Sequence, residues 1–98
     1  HQPVPVSSPW IDRYGLELAE AFWDLIDRHP RVRCITWGHV HQDFEALHRT
    51  VTLLGSPSSV ANSLPVRETF TLDLGGPACR WLELSSNGTI ETGLLRAV

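Results

Sequence analysis

The chain has 98 residues, of which 8 are basic and 11 acidic, with a net charge of −3 and 42% hydrophobic residues. This length allows one domain with a modest core, and the mixed composition excludes a disordered chain. Because no basic stripe is present, we expect neither a nucleic-acid partner nor an anionic membrane partner. No run approaches the roughly 20 apolar residues of a membrane span, and no signal-peptide pattern opens the chain.

The cysteines and the missing methionine bear on the cellular compartment and on whether the chain is part of a longer protein. Cys34 and Cys79 share no motif, and Cys34 lies within an apolar run, which is typical of a free buried thiol in a reducing, cytoplasmic setting. The sequence has no methionine and opens on a proline-rich stretch, residues 1–10, rather than on a strand or a helix. We therefore expect a piece of a longer protein.

The first half of the chain predicts a loop, a helix and a strand. Three prolines in residues 1–10 indicate an extended loop. Apolar residues recur at helical spacing from Gly15 to His29, and Pro30 ends that pattern. The apolar run VRCITW, residues 32–37, predicts a strand that is buried on both faces, as in a parallel sheet. A helix followed by such a strand is half of a βαβ unit, whose first strand would precede His1. The apolar positions of the predicted helix are Leu18, Phe22, Leu25 and Ile26.

The second half predicts antiparallel strands. TVTLL at 50–54 is a predicted strand, a polar loop runs from 55 to 65, and ETFTLDL at 68–74 alternates apolar and polar residues. Asn87-Gly88 is the favoured pair for a tight primed turn and predicts a final hairpin. Together the elements predict an α/β fold with α+β character in this chain, within one domain.

One motif, Gly38-His39-Val40-His41, follows the predicted strand of residues 32–37 directly. In extended backbone, residues two apart point the same way, so both imidazoles would face one pocket, and Gly38 would let the chain turn sharply. The carboxyl ends of strands in α/β sheets commonly bind ligands, and imidazole suits several transition metals. From the residues alone, the pattern is compatible with metal ligation and also with two exposed loop histidines.

The remaining polar residues point to structural roles. His29 stands at a helix end, where an imidazole can meet free carbonyls, and His48 is expected on the surface of a loop or hairpin. The serines at 56, 58 and 59 lack a G-x-S-x-G elbow and are expected to form a turn. We predict no catalytic side chain within the chain itself.

Five stretches, taken in order, resemble one family. They read HQPVPVSSPWID, the helix of residues 15–29, VRCITWGHVHQ, LLGSPSS and RWLELSSNGTIETG. They resemble the C-terminal part of bacterial 3′,5′-cyclic-AMP phosphodiesterases, the class III cyclic nucleotide phosphodiesterases of the calcineurin-like metallophosphoesterase superfamily. The resemblance runs over essentially the whole chain and is sharpest at G-H-x-H. It implies that residues 1–98 form the C-terminal portion of a single metallophosphoesterase domain, a two-sheet sandwich flanked by helices.

The resemblance also implies a dinuclear metal site at the carboxyl ends of strands. His39 would bind one divalent ion and His41 the other, as an Fe/Mn or Mn/Zn pair, and the other ligands would lie outside this chain. His1 matches the second histidine of the family's H-H-x-P loop, so it is expected near the substrate phosphate and not as a ligand, with another histidine expected before it. Gly38 is a further substrate-binding candidate. The chain alone is expected to be inactive.

The implied reaction is hydrolysis of the small molecule 3′,5′-cyclic AMP to 5′-AMP by a hydroxide that bridges the two metals. Because histidine binds metal in its neutral form, activity is expected to fall below pH about 6.5. Residues 60–63, VANS, depart from the family pattern in a loop that shapes the nucleotide pocket. Alternatives are therefore a phosphodiesterase for glycerophosphodiesters or other small diesters, and a non-catalytic α/β interaction module. Exposed sheet edges would favour a homo-oligomer.

Overall fold

The computed structural model describes residues 1–97 and has a mixed architecture of two helices and seven strands. The strands of those residues form three small sheets, with the orders β1-β3-β2, β4-β5 and β6-β7. This confirms the predicted α/β class with α+β character. Val98, the last residue of the predicted domain, lies outside the described residues. The elements are α1 Pro9–Asp12, α2 Ala19–Asp27, β1 Cys34–Trp37, β2 Phe44–His48, β3 Val51–Gly55, β4 Asn62–Ser63, β5 Leu72–Asp73, β6 Ala78–Leu84 and β7 Ile90–Arg96.

The three-stranded sheet is built around β3. β1 runs parallel to β3, with Trp37 opposite Gly55, and β2 lies antiparallel on the other side of β3. α2 contributes Trp23 and Ile26 to the same core. The core therefore lies next to the segment that follows β1. Its buried members are Val6, Ile11, Trp37, Val40, Val51 and Leu53.

β1 confirms the predicted parallel strand but not its predicted burial. The strand begins at Cys34, Thr36 is exposed, and only Trp37 is fully buried. Within residues 1–97, β1 pairs with β3 alone and forms an edge of the sheet. The prediction of burial on both faces is therefore wrong for β1 as residues 1–97 form it, since Thr36 is exposed and Cys34 and Ile35 are only half-buried.

α2 is shorter than the predicted helix. Leu18 has a left-handed backbone with φ of 55° and is 83% exposed, so the helix begins at Ala19. The amide of Leu16 donates to the carbonyl of Gln2 at 2.8 Å, which holds the preceding residues in the first loop. Trp23 is anchored there too, because its Nε1 donates to the Pro3 carbonyl at 3.0 Å. None of the helices in the described chain has the length and hydropathy to cross a membrane.

The strand predicted over residues 68–74 is mostly absent. Only Leu72–Asp73 is a strand, and Phe70, Leu72 and Leu74 are exposed. Conversely, residues 44–48 form β2, although no strand was predicted there. β2 ends at His48 and forms a hairpin with β3. The alternation of apolar and polar residues over 68–74 therefore predicted a strand wrongly, since its apolar side chains are not buried against another part of the described chain.

The final hairpin, β6–β7, forms as predicted but with a different turn. Gly88 has φ of 87°, whereas Asn87 does not adopt a positive φ. The amide of Gly88 donates to the Ser85 carbonyl at 2.9 Å, and the amide of Ser85 donates to the Thr89 carbonyl at 3.0 Å. A three-residue loop with a left-handed glycine replaces the predicted primed turn, in which both central residues would have positive φ.

Candidate metal site

The G-H-x-H motif lies at the carboxyl end of β1, as predicted. β1 ends at Trp37, and the parallel strand β3 ends beside it at Gly55. The amide of Ser56 donates to the Trp37 carbonyl at 2.9 Å, which keeps the two strand ends together. Both histidines therefore stand at the edge of the sheet where α/β proteins place their ligands.

The backbone of the motif is not extended. His39 and His41 both adopt the left-handed region, with φ of 63° and 50°. The amide of Val40 donates to the Gly38 carbonyl at 2.6 Å, which closes a γ-turn around His39. The expectation of an extended backbone through the motif is therefore wrong. Left-handed non-glycine residues cost of the order of 1–3 kcal/mol each and concentrate at functional sites.

Val40 anchors the motif in the core. Its side chain is 0% exposed and belongs to the core cluster, whereas Gly38, His39 and His41 are exposed. The buried residue thus separates two exposed imidazoles and fixes the backbone between them. Both rings remain accessible to a ligand from solvent.

Gly38 does not have the backbone role expected of it. It is not among the glycines with positive φ, and a Cβ built on it would meet nothing within 4 Å. The sharp turn occurs at His39 instead, so neither backbone conformation nor a close neighbour requires glycine at position 38. Its predicted contact with substrate stays a prediction.

The structure brings His1 next to His39. The two rings stack with centroids 4.0 Å apart and an interplanar angle of 17°. His1 Nδ1 lies 2.6 Å from the Tyr14 carbonyl oxygen. Because a carbonyl only accepts, Nδ1 carries the hydrogen, and Nε2 of the neutral ring keeps a lone pair. His1 therefore lies at the motif, where the resemblance expects a neighbour of the site.

The environment of His39 favours its neutral form. Burial lowers the pKa of His39 from its usual 6.5, the N-terminal ammonium and His41 lower it further, and the Tyr14 carbonyl opposes the change. A neutral imidazole is the form that ligates metals. The local electrostatics thus suit a metal-binding role.

The donor set within this chain is partial. In residues 1–97, no group of three or more histidine, cysteine, aspartate or glutamate side chains is arranged to hold a metal ion. His48 lies elsewhere, since its Nε2 is 2.9 Å from an Asp27 oxygen and its ring stacks on Trp23 at 4.1 Å. His39 and His41 fit a metal centre by donor chemistry, as two members of a larger set.

Polar contacts of two side chains near the motif, the buried Gln42 and the half-buried Asp12, were not predicted. Gln42 is 2% exposed and bonds both to Ser8 at 3.2 Å and to Ser63 at 3.1 Å. The available signal was position, because Gln42 is two residues beyond Val40 and follows the histidines directly. Asp12 lies at the end of α1, and its carboxylate accepts hydrogen bonds from the amides of Val6 at 2.8 Å and Ser8 at 3.1 Å. These contacts hold the first loop beside the motif.

Arg80 attaches the β6–β7 hairpin to the same end of the sheet. Its side chain is 2% exposed, and its guanidinium donates to the Gly55 carbonyl at 3.1 Å and to Thr92 at 3.0 Å. It also pairs with Asp43 and, at 3.2 Å, with Glu45. This cation therefore connects the hairpin to β2 and β3 close to His41.

Comparison with known proteins identifies relatives along nearly all of the chain. No family model matches it. It is 43% identical over 96 residues to a 3′,5′-cyclic adenosine monophosphate phosphodiesterase CpdA of Pseudomonas aeruginosa and 40% identical to the CpdA of Vibrio vulnificus, in each case over 98% of this chain and 35% of the relative. A 3′,5′-cyclic-nucleotide phosphodiesterase of Nostoc sp. is 36% identical over 98% of this chain and 36% of the relative.

The relatives are considerably longer than this chain, which spans 35% of the length of the first two. The identity nevertheless extends over 96 residues and is therefore not confined to the histidine motif. Along nearly its whole length the chain is similar to part of these three phosphodiesterases, as its motifs predicted.

Proposed function

We propose that the chain supplies His39 and His41 to a dinuclear metal centre that hydrolyses 3′,5′-cyclic AMP to 5′-AMP. The observation that carries this proposal is the pair of exposed imidazoles on either side of the buried Val40, at the carboxyl end of a parallel strand. The printed names of the relatives support the substrate. In this proposal residues 1–98 are the C-terminal portion of one metallophosphoesterase domain.

Two divalent ions, when bound, supply a water-derived nucleophile at neutral pH and polarise the phosphoryl oxygens. His39 and His41 would each donate one lone pair to a different ion. Because neutral imidazoles add no negative charge, they leave the positive charge of the ions available to the phosphodiester.

His1 would contribute to binding of the phosphate group. Its Nδ1 is committed to the Tyr14 carbonyl at 2.6 Å, so only Nε2 faces a ligand. In the neutral ring Nε2 accepts hydrogen bonds, and it donates to a phosphoryl oxygen only when the ring is protonated. The stacked arrangement keeps that nitrogen beside His39.

The test uses the full-length protein that contains this chain. His39→Ala and His41→Ala are each expected to remove about one metal equivalent by elemental analysis and to lower turnover of cyclic AMP and bis-p-nitrophenyl phosphate by orders of magnitude with Mn²⁺ or Fe²⁺. His29→Ala is the matched control, because His29 is exposed at the end of α2 and should leave both measurements unchanged. Unchanged metal content and turnover in both site variants would contradict the proposal.

The isolated chain is expected to bind metal weakly and to be inactive. Its described residues contain no group of three suitable donors, and two imidazoles do not complete a dinuclear centre. The assay is turnover of bis-p-nitrophenyl phosphate by residues 1–98 with added Mn²⁺. Metal-dependent turnover by this chain, lost on His39→Ala, would show that the partial donor set is sufficient.

A second candidate substrate class is glycerophosphodiesters and other small diesters. It is favoured by the loop of residues 60–63, in which the Asn62 side chain is fully engaged with Ser58 and Gly76 while Val60 is 79% exposed. Such a loop offers no free side-chain amide to a nucleobase. A substrate panel on the full-length protein decides, since a higher kcat/KM for glycerophosphodiesters than for cyclic AMP would favour this class.

The two cysteines support a reducing, cytoplasmic location for the proposed enzyme. Cys34 and Cys79 are both free thiols, and burial raises the pKa of the Cys34 thiol, which keeps it protonated and unreactive. Labelling with a thiol reagent in intact cells and in lysate tests the state of both residues. Recovery of either cysteine in a disulfide from intact cells would contradict this location.

A further inference from the structure

A buried polar bridge, formed by the side chains of Ser8, Gln42 and Ser63, passes beneath the histidine motif. The three residues are 0%, 2% and 1% exposed, respectively. They come from the first loop, from the residue after His41 and from β4, so the bridge joins three distant parts of the chain. Buried polar groups are costly unless they are hydrogen-bonded, and a fully bonded set specifies one local structure.

The hydrogen bonds of the polar bridge have one consistent direction on each side of Gln42. On one side, the Val66 amide donates to Ser8 Oγ at 3.0 Å, and Ser8 Oγ donates to Gln42 Oε1 at 3.2 Å. On the other side, Gln42 Nε2 donates to Ser63 Oγ at 3.1 Å, and Ser63 Oγ donates to the Val40 carbonyl at 3.5 Å. Each of the three side chains both accepts and donates, and Gln42, which accepts from Ser8 and donates to Ser63, connects the two sides.

The polar bridge ends on the backbone of the motif. Besides the contact to the Val40 carbonyl, the amide of Ser63 donates to the His41 carbonyl at 3.0 Å. These contacts hold the peptide units on which the left-handed backbone of His39 and His41 depends, with φ of 63° and 50°. A disfavoured backbone persists only where its surroundings determine it strongly.

We propose that Gln42 is a positioning residue that acts through the polar bridge to hold His39 and His41 in the geometry that binds metal. This inference rests on the proposed function, because it assigns the bridge to the metal affinity of the same site. Outer groups that orient metal ligands typically change metal affinity by about 10- to 100-fold when they are removed.

The variant that tests the proposal is Gln42→Met in the full-length protein. Methionine keeps the length and approximate volume of the side chain but neither accepts from Ser8 nor donates to Ser63. The control for general destabilisation is Val51→Ala, which removes two methyl groups from a 7% exposed side chain at the opposite end of β3 from Gly55, the end where the motif lies. Both variants should lower the melting temperature, so thermal stability alone does not distinguish them.

The decisive measurement is the dissociation constant for Mn²⁺ from competition with a chelator. We expect Gln42→Met to weaken Mn²⁺ binding by about 10-fold or more and Val51→Ala to leave it unchanged. Exchange of the Ser63 amide, which bonds to the His41 carbonyl, should accelerate in Gln42→Met without metal. Ser63→Ala, which removes only one hydroxyl, should weaken Mn²⁺ binding by several-fold and serves if Gln42→Met does not fold.

The possible outcomes distinguish failure of the proposed function from failure of the positioning role of Gln42. A wild-type full-length protein that binds no Mn²⁺ overturns the proposed function and this inference with it. A wild type that binds Mn²⁺, with unchanged affinity in Gln42→Met and Ser63→Ala, overturns the positioning role alone. Equal loss of affinity in Gln42→Met and Val51→Ala also overturns it, because the effect would then be general destabilisation.

Discussion

The environment of Arg80 predicts that replacing the arginine and replacing its two acidic partners lower the free energy of unfolding by different amounts. The Arg80 side chain is 2% exposed, whereas those of its partners Asp43 and Glu45 are 44% and 58% exposed. Without the arginine, both carboxylates can be solvated by water. Without both carboxylates, a buried cation keeps only neutral partners, the Gly55 carbonyl and Thr92.

The magnitudes follow from this geometry. Arg80→Met leaves one buried acceptor, the Gly55 carbonyl, without its donor, which costs about 1–3 kcal/mol. Each of Asp43→Asn and Glu45→Gln alone should cost about 1 kcal/mol or less, because an exposed carboxylate contributes little and the other one remains. The double variant leaves the buried guanidinium without a counter-charge, and we expect a loss of about 3–5 kcal/mol.

The assay is urea denaturation of the 98-residue chain at 25 °C, followed by far-UV circular dichroism, for the wild type, Arg80→Met, the two single acid variants and the double. The double should exceed the sum of the singles by about 2 kcal/mol in a double-mutant cycle, with similar m-values. If the losses of the two single acid variants simply add up to that of the double, or if Arg80→Met is the least stable variant, burial of the cation does not determine the energy of these ion pairs.

Three further predictions concern single residues. Val40→Ala removes two buried methyl groups from a 0% exposed position and should cost about 2 kcal/mol, seen as a fall of about 10 °C in calorimetry. Gly38→Ala should change stability by less than about 0.5 kcal/mol, whereas Gly88→Ala, at φ of 87° and against the Arg33 guanidinium, should cost about 1–2 kcal/mol, and equal losses would contradict the comparison. The His39 pKa, measured by NMR on the 98-residue chain, should lie below 6.5 and rise when the N-terminus is acetylated, since the ammonium helps to lower it. Because the pKa of His39 is lower in the folded chain than in the unfolded chain, the unfolded chain binds the proton more readily. The contribution of His39 to stability is therefore complete above pH about 6.5 and is lost as the pH falls.

Local patterns predicted the elements whose partners lie close in sequence or whose apolar run is continuous. The strand ending at Trp37, the parallel pairing through that strand and the β6–β7 hairpin were all visible in this way. The location of the histidines at a strand end followed directly, since they are the next residues in the chain.

The missed features depend on contacts between distant residues. The left-handed backbone of His39 depends on burial of Val40 and on hydrogen bonds from Ser63, which no spacing within the motif reveals. The late start of α2 depends on the bond between Leu16 and Gln2. Stacking of His1 on His39 brings together rings from opposite ends of the first half of the chain.

The attachment of the β6–β7 hairpin has a consequence for motion. Within the described residues, β6 and β7 pair only with each other, and Trp81, Leu82, Leu84 and Leu95 are exposed. The polar links of the hairpin to the rest of the described chain include the Arg80 contacts, an ion pair between Arg96 and Asp73 at 3.3 Å, and a hydrogen bond from the Ala78 amide to the Ser58 carbonyl at 2.9 Å. Its ladder can open while β1, β2 and β3 stay paired, so native-state hydrogen exchange should show a smaller opening free energy for amides of β6 than for those of β3.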